Sequence, residues 1–337
     1  MKNIITTNQA SDLHSDFFTK SHQLVFSQLS LSPIEHDIFA LFLTRLAKEH
    51  WEAYMGEQRV DYVPRYEFST DVLSEWFGVQ KTYLHSTLFK PADRLSSRKI
   101  GVHSDSKKSF DFIPLFKRIK YDQGTLTVVP NDELLNEYLC LGQGHSQIPH
   151  RQFRTIPLEH GKRLFTLFCR FRTYGKLHPQ SIEDLHGFFG LLDQQGKLVK
   201  KTYAKTAVFI SRIIKPAITS INDNVEDLEF HVDEKTGNYG FRYHKKGRSI
   251  VAIEFLFSWK TKPVDTSDFV NQLTFEDAIK THRDIELKDS LPTLAEIENL
   301  KQHIPRLLLE GFNFDSDFAT KLNECILYAD NDMTTVD

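Results

Sequence analysis

The chain has 337 residues, 40% of them hydrophobic and 26% charged, which is the balance of a soluble globular protein with room for two or three domains. No apolar run approaches the roughly 18 residues of a membrane span, and the polar start, with Asp12 and Asp16, lacks the basic and apolar parts of a secretory signal. The net charge of −3 hides an asymmetry: Arg151–Ser220 carries 13 Lys and Arg against 4 Asp and Glu, and Thr261–Asp337 carries 7 against 16, so a polyanionic partner is expected for the basic block.

In chain order, residues 1–20 read as a flexible leader and His22–Leu31 alternates weakly, as a short strand would. Ser32-Pro33 places an N-cap and a first-turn proline before a helix expected to reach about Tyr54, with Ile34, Ile38, Leu41, Phe42 and Leu46 on one face. Thr70–Phe77 is the next helix, closed by Gly78, and Lys81–Leu95 the third. Phe110–Phe116 and Thr125–Val129 read as hairpin strands joined through Asp122-Gln123-Gly124, and Asp132–Leu141 as a short helix. Gly142-Gln143-Gly144 through Pro149 is the linker candidate. A helix from Pro157 through Phe171 follows, then Ser181–Phe189 ended by Gly190, then Lys200–Ile221. Leu228, Phe230 and Val232, then Tyr239, Phe241 and Tyr243, then Val251, Ile253, Phe255 and Phe257 alternate as three antiparallel strands. Pro263, Thr266 and Ser267 mark a second linker, before an acidic segment with helices at Phe275–Thr281 and Leu294–Leu309.

This order occurs twice. Ile38-Phe39-Ala40-Leu41-Phe42 returns as Leu164-Phe165-Thr166-Leu167-Phe168, Leu73 to Gly78 as Leu185 to Gly190, and Lys90-Pro91-Ala92 as Lys215-Pro216-Ala217. A duplicated α+β unit is expected: two tandem winged helices, at 21–145 and 151–260, followed by an acidic, mainly helical extension at 261–337. A winged helix is a helix-turn-helix with an attached β-hairpin, and it usually binds DNA.

The second unit's third helix carries the expected contact. Wound as one α-helix, it groups Lys201, Lys205, Arg212 and Lys215 within about 80° and sets Tyr203, Ala207, Ile210, Ile214, Ala217, Ile218 and Ile221 opposite. No acid lies between Lys197 and Ser220, whereas a merely solvated face gains from mixed charges. Lys200, Lys201 and Lys205 are expected on phosphates, and Arg212 on a guanine edge that fits its planar fork. Pro216 should bend or end the helix. The first unit offers Lys81, Lys90 and Arg94 with Arg98 and Lys99 beyond, where a solvated face is nearly as good a reading. The expected wing tips are Lys107-Lys108 in the first unit and Lys245-Lys246-Gly247-Arg248 in the second.

The chain resembles the replication initiator proteins of iteron-containing bacterial plasmids. The resemblance rests on Gln23-Leu24-Val25 before Leu29-Ser30-Leu31-Ser32; on Phe112-Ile113-Pro114-Leu115 with Tyr121-Asp122 and Gly124-Thr125-Leu126; and on Leu158 to Phe171. It continues through Ile182-Glu183-Asp184-Leu185 with Gly190, Tyr203, Phe209, Ile213 to Ala217 and Ile221-Asn222, and ends with Gly247-Arg248 before Ile253-Glu254-Phe255. It covers about residues 20–260. It implies binding of repeated sites in double-stranded origin DNA, with monomers helping to open the origin and dimers repressing the initiator's own gene. It also implies contact with the host replication initiator and the replicative helicase. The acidic extension departs from the family pattern.

No enzyme is expected. The 15 His include no H-x-H or H-E-x-x-H, and no phosphate-binding G-x-x-x-x-G-K-[ST] occurs, so no cofactor or metal is assigned. Glu35-His36 and Glu159-His160, at equivalent helix starts, read as helix-entry polarity rather than catalytic pairs. Three scattered cysteines, Cys140, Cys169 and Cys325, suit a reducing cytoplasm. The other readings are a winged-helix transcriptional repressor and, from a different class, a nicking enzyme acting on DNA.

Overall fold

The computed structural model describes residues 4–14, 16–21, 24–25, 27, 29–55, 63–104, 109–140, 145–172, 177–193, 196–260, 273–287, 292–315 and 317–325. They form two compact units, one of residues 1–169 and 179–258, the other of residues 170–178 and 259–337.

In the first unit, α1 (Pro33–Arg45) starts where Ser32 accepts the Glu35 amide and Glu35 returns the bond, a capping box. Ile38, Phe39, Leu41 and Phe42 are buried. The helix stops at Leu46, not Tyr54, because Leu46 and Ala47 turn extended. The chain then folds back in short turns, Lys48–Trp51 and Glu52–Met55, which put Trp51 in the core with its Nε1 donating to the Tyr66 hydroxyl at 2.9 Å. α2 (Thr70–Phe77) ends on Gly78 at φ +64, and α3 (Leu84–Ser96) follows a helical turn at Lys81–Tyr83.

Where a loose leader was expected, Ile4–Thr7 and Phe17–Ser21 are strands. β1 (Ile4–Thr7) runs parallel to β3 (Arg65–Phe68), and β2 (Phe17–Ser21) pairs antiparallel with β8 (His145–Pro149). The latter segment was expected to be linker; Phe18 and Ile148 in these strands are both buried. Leu24 and Val25 lie in a helical turn, not a strand.

The expected hairpin also regroups. β4 (Lys99–Ser104) pairs with β5 (Ser109–Pro114), and β6 (Phe116–Asp122) pairs with β7 (Thr125–Pro130). The turn at Asp122-Gln123-Gly124 is where the sequence put it, with Gln123 at φ +47 and Gly124 at φ +81, as a two-residue hairpin turn needs. The main sheet has the order β1-β3-β7-β6.

The second half repeats the plan. After α4 (His150–Thr155), α5 (Glu159–Arg170) corresponds to α1, and α6 (Ile182–Phe188), capped by Ser181, corresponds to α2. The third helix begins in α7 (Thr206–Phe209), passes through a π-turn at Ile210–Ile214 and finishes as α8 (Lys215–Asn222). β9 (Gln180–Ser181) leads into α6 as β3 leads into α2. The sheet order β11 (Phe241–Lys246), β12 (Ser249–Phe255), β9 mirrors β6-β7-β3. β10 (Leu228–Phe230), expected in that sheet, pairs instead with β13 (Phe257–Trp259).

The two winged helices are joined through buried and partly buried polar contacts. Lys162 Nζ lies 2.6 Å from Asp37 and donates to the Phe153 carbonyl at 2.8 Å. The Arg163 guanidinium donates to the carbonyls of Leu29, Ser27 and Phe188. Ser30 donates to Glu159 at 2.8 Å, and Gly190, at φ +66, packs on the Ser30 backbone.

The acidic extension has a core of its own. α9 (Phe275–Leu287), longer than the expected helix, and α10 (Leu294–Leu309) bury Ala278, Ile285, Leu300, Leu307 and Phe318. The His282 ring lies among Phe312, Phe314 and Phe318 and bonds the Asn313 carbonyl at 2.7 Å.

Candidate nucleic-acid interface

The third helix of the second unit follows a period of four. Phe209-Ile210, Ile213-Ile214, Ala217-Ile218 and Ile221 are all buried. An α-helix of 3.6 residues per turn would walk these pairs around its surface. The wider π-turn corrects the drift, with the Lys215 amide reaching back to the Ile210 carbonyl. It also eases the clash that Pro216 would make one turn upstream, so the helix runs on to Asn222 instead of breaking. Ala207, expected in the core, is exposed; Phe209 and Ile213 take that role.

The outward strip holds Ser211, Arg212, Lys215, Thr219 and Asn222, all exposed. Lys200, Lys201 and Lys205 are exposed too, but they belong to a separate helical turn, Lys201–Ala204, and Lys205 has extended geometry at φ −80, ψ 103. These lysines therefore flank the N-terminus of the helix and do not continue its face. The wing β11–β12 turns at Lys246-Gly247-Arg248, with Gly247 at φ +63; Lys245, Lys246 and Arg248 are exposed. None of these eight cations has an acidic partner among the described residues.

The first unit uses its cations differently. Lys81 pairs with Asp71. Arg94 and Arg98 close on the buried Glu35 at 2.5 and 3.2 Å. Burial alone would raise the Glu35 pKa, but Arg94, the Ser32 amide and Arg98 outweigh it and hold the carboxyl below its usual range. Lys99 lies over the Phe112 ring at 5.2 Å, and Lys90 is exposed without an acid partner among the described residues. The wing equivalent to Lys246–Arg248 is the tight Asp122–Gly124 turn. Lys107 and Lys108, expected at the first unit's wing tip, lie outside the described residues.

Two family models match the chain: "Initiator Replication protein, WH1" over residues 18–169, and "Initiator Rep protein, WH2" over residues 181–257. Together they span most of its length. The chain belongs to the initiator replication protein family. Its fold is also that of a solved structure, "Crystal structure of Pi initiator protein in complex with iteron DNA", with a TM-score of 0.54, 14% identity, and coverage of 73% of this chain and 98% of that one. A search of curated proteins gave no significant match. No helix among the described residues is long and apolar enough to cross a membrane.

In this initiator-family fold, Glu35 caps α1 and Glu159 accepts from Ser30. Burial raises the Glu159 pKa. The sequence did not reveal the charges gathered where the two winged helices meet. Burial and the nearby Arg163 lower Lys20 to about 7. Burial lowers His160 to about 4 and raises Asp37 to about 6 despite the Lys162 contact. Such residues look like ordinary surface charges in a sequence, because nothing local marks a lysine for burial.

Proposed function

We propose that this chain initiates plasmid replication by binding repeated sites in double-stranded origin DNA, with the second winged helix reading the major groove. The observation that carries this reading is a helix and wing whose exposed cations, Lys200, Lys201, Lys205, Arg212, Lys215, Lys245, Lys246 and Arg248, lack acidic partners among the described residues, in a member of the initiator family. Such a surface is matched by a phosphate backbone. Lysines beside the helix start hold phosphates, and Arg212 on the outward strip meets base edges. The Pi initiator, of the same fold, was crystallised with iteron DNA.

The finer reading is that monomers open the origin while dimers repress the initiator's own gene. Host initiator and helicase are further partners, and the chain acts without catalysis in the cytoplasm. Footprinting on the DNA beside the encoding gene tests it, together with a chemical probe for unpaired thymines. Protection of tandem repeats with strand opening in a neighbouring AT-rich tract is expected. Protection of an operator palindrome alone, without opening, would instead identify a repressor, and metal-dependent nicking lost on a Tyr→Phe change would identify an enzyme.

A further inference from the structure

The outward face of the first unit's sheet carries a second set of cations. Arg65 and Glu67 on β3, Thr127 and Val129 on β7, and Arg118 and Lys120 on β6 line a shallow concavity of about 240 Å3. The opposite face, with Tyr66, Phe68, Leu126 and Val128, is buried in the core. Pairing sets Arg118 beside Val129 and Lys120 beside Thr127, and Glu67 on the far side of Thr127. Arg65 and Arg118 thus stand one strand apart across Val129, about 10 Å between backbones, both exposed. Neither has an acidic partner among the described residues, and Lys120 pairs only with Asp122 of its own strand, at 2.7 Å.

The duplication supplies an internal comparison. On the equivalent sheet of the second unit, Arg242 is held by Asp233 at 2.9 Å and His244 by Glu254 at 2.8 Å. The outward arginine of β11 is therefore ion-paired in one copy, whereas two outward arginines are left open in the other. Arginine forks suit phosphate oxygens, and a broad, shallow face suits a backbone better than a small enclosed ligand. We infer that the outer sheet face of the first winged helix, through Arg65 and Arg118 with Lys120 beside them, holds the phosphate backbone of duplex DNA flanking the sequence read by the second winged helix.

This inference rests on the DNA-binding reading above, and the test separates the two. Affinity of the full chain is measured against salt on two duplexes, one trimmed to a single repeat and one extended by a helical turn on each side. Arg65→Gln with Arg118→Gln should leave the trimmed duplex unchanged. On the extended duplex it should lower the salt slope by about 1.8, shrinking the affinity loss between 50 and 200 mM salt about tenfold. Arg65→Lys with Arg118→Lys should restore the slope, and Arg118→Gln alone should give half the change. Equal slopes for wild type and the Gln variant on both duplexes overturn the inference, as does a Gln variant that keeps DNA affinity but loses binding to polyglutamate. If Lys201→Ala with Lys205→Ala leaves both duplexes unaffected while the Gln variant weakens the extended one, the reading of the second unit fails and the sheet face stands. A wild-type chain that binds neither duplex sinks both.

Discussion

Two glycines at equivalent places in the duplicated unit differ in what surrounds them. Gly78 and Gly190 both adopt left-handed backbone after the second helix, at φ +64 and +66. An added Cβ at Gly78 meets nothing within 4 Å, whereas at Gly190 it would lie 3.0 Å from the Ser30 Cβ and 3.3 Å from its Cα and amide. Gly78→Ala should therefore cost only the conformational strain, about 1–2 kcal/mol. Gly190→Ala adds a tight contact with Ser30 where the two winged helices meet and should cost about 1–3 kcal/mol more. Denaturant melts of the two variants check the difference; equal losses would mean that the Ser30 contact is not tight. Lys20 gives a pH signature at the same scale. Its folded pKa of about 7 lies below its ordinary 10.5, so between about pH 7 and 10.5 the unfolded chain binds up to one more proton than the folded chain. This lysine makes stability rise with pH through that window, by up to about 1.4 kcal/mol per pH unit, and contributes no pH dependence below it. Lys20→Met should flatten the rise between pH 7 and 8.5 relative to wild type in thermal melts. An unchanged slope would mean the amine stays charged when folded.

At the scale of elements, the sequence was legible where local chemistry acts alone. Ser32-Pro33, Ser181 and Gly78 mark their helix ends, and Asp122–Gly124 marks its turn, because caps and positive-φ turns are satisfied within a few residues. Strand partners were less visible. β1, β2 and β8 are short pieces of mixed polarity whose pairing is set by partners at long range, and no local pattern marks them. The third helix of the second unit failed for a different reason: a uniform 100° wheel cannot represent a helix that tracks a period of four through a π-turn. The corrected geometry separates two roles. Lys201→Ala with Lys205→Ala, beside the helix start, should weaken binding to every sequence and flatten the salt dependence. Arg212→Ala, on the outward strip, should relax preference at one base position by about 1–3 kcal/mol. Competition titrations with single-base variants of the target distinguish them; an Arg212→Ala chain with full discrimination would return that arginine to phosphate contact.

For the whole molecule, the division into two units has a thermodynamic consequence. The duplicated winged helices share partly buried contacts from Asp37 to Lys162 and from Ser30 to Glu159, so they should unfold together. The acidic extension has a separate cluster around Leu300 and Phe318 and should melt on its own. Calorimetry is expected to show two transitions, with Leu300→Ala lowering only the smaller one by about 2–5 kcal/mol. A single transition shifted as a whole would show that the units are energetically one. The extension's charge was plain in the sequence, but its self-contained core was not, since Phe312, Phe314 and Phe318 gain meaning only once they surround His282.

Arg163 is held by main-chain oxygens at positions 27, 29 and 188, and its guanidinium also lies 5.2 Å from the centre of the Phe188 ring. Any residue type presents the same carbonyl, so Ser27 can change without loosening the grip, whereas Leu29 and Phe188 are also buried in the core. Arg163 thus ties the two halves through three backbone carbonyls at once, beside the contacts of Lys162 with Asp37 and of Ser30 with Glu159. Lysine in its place, with one ammonium for a five-donor fork, would leave some of those carbonyls without a partner.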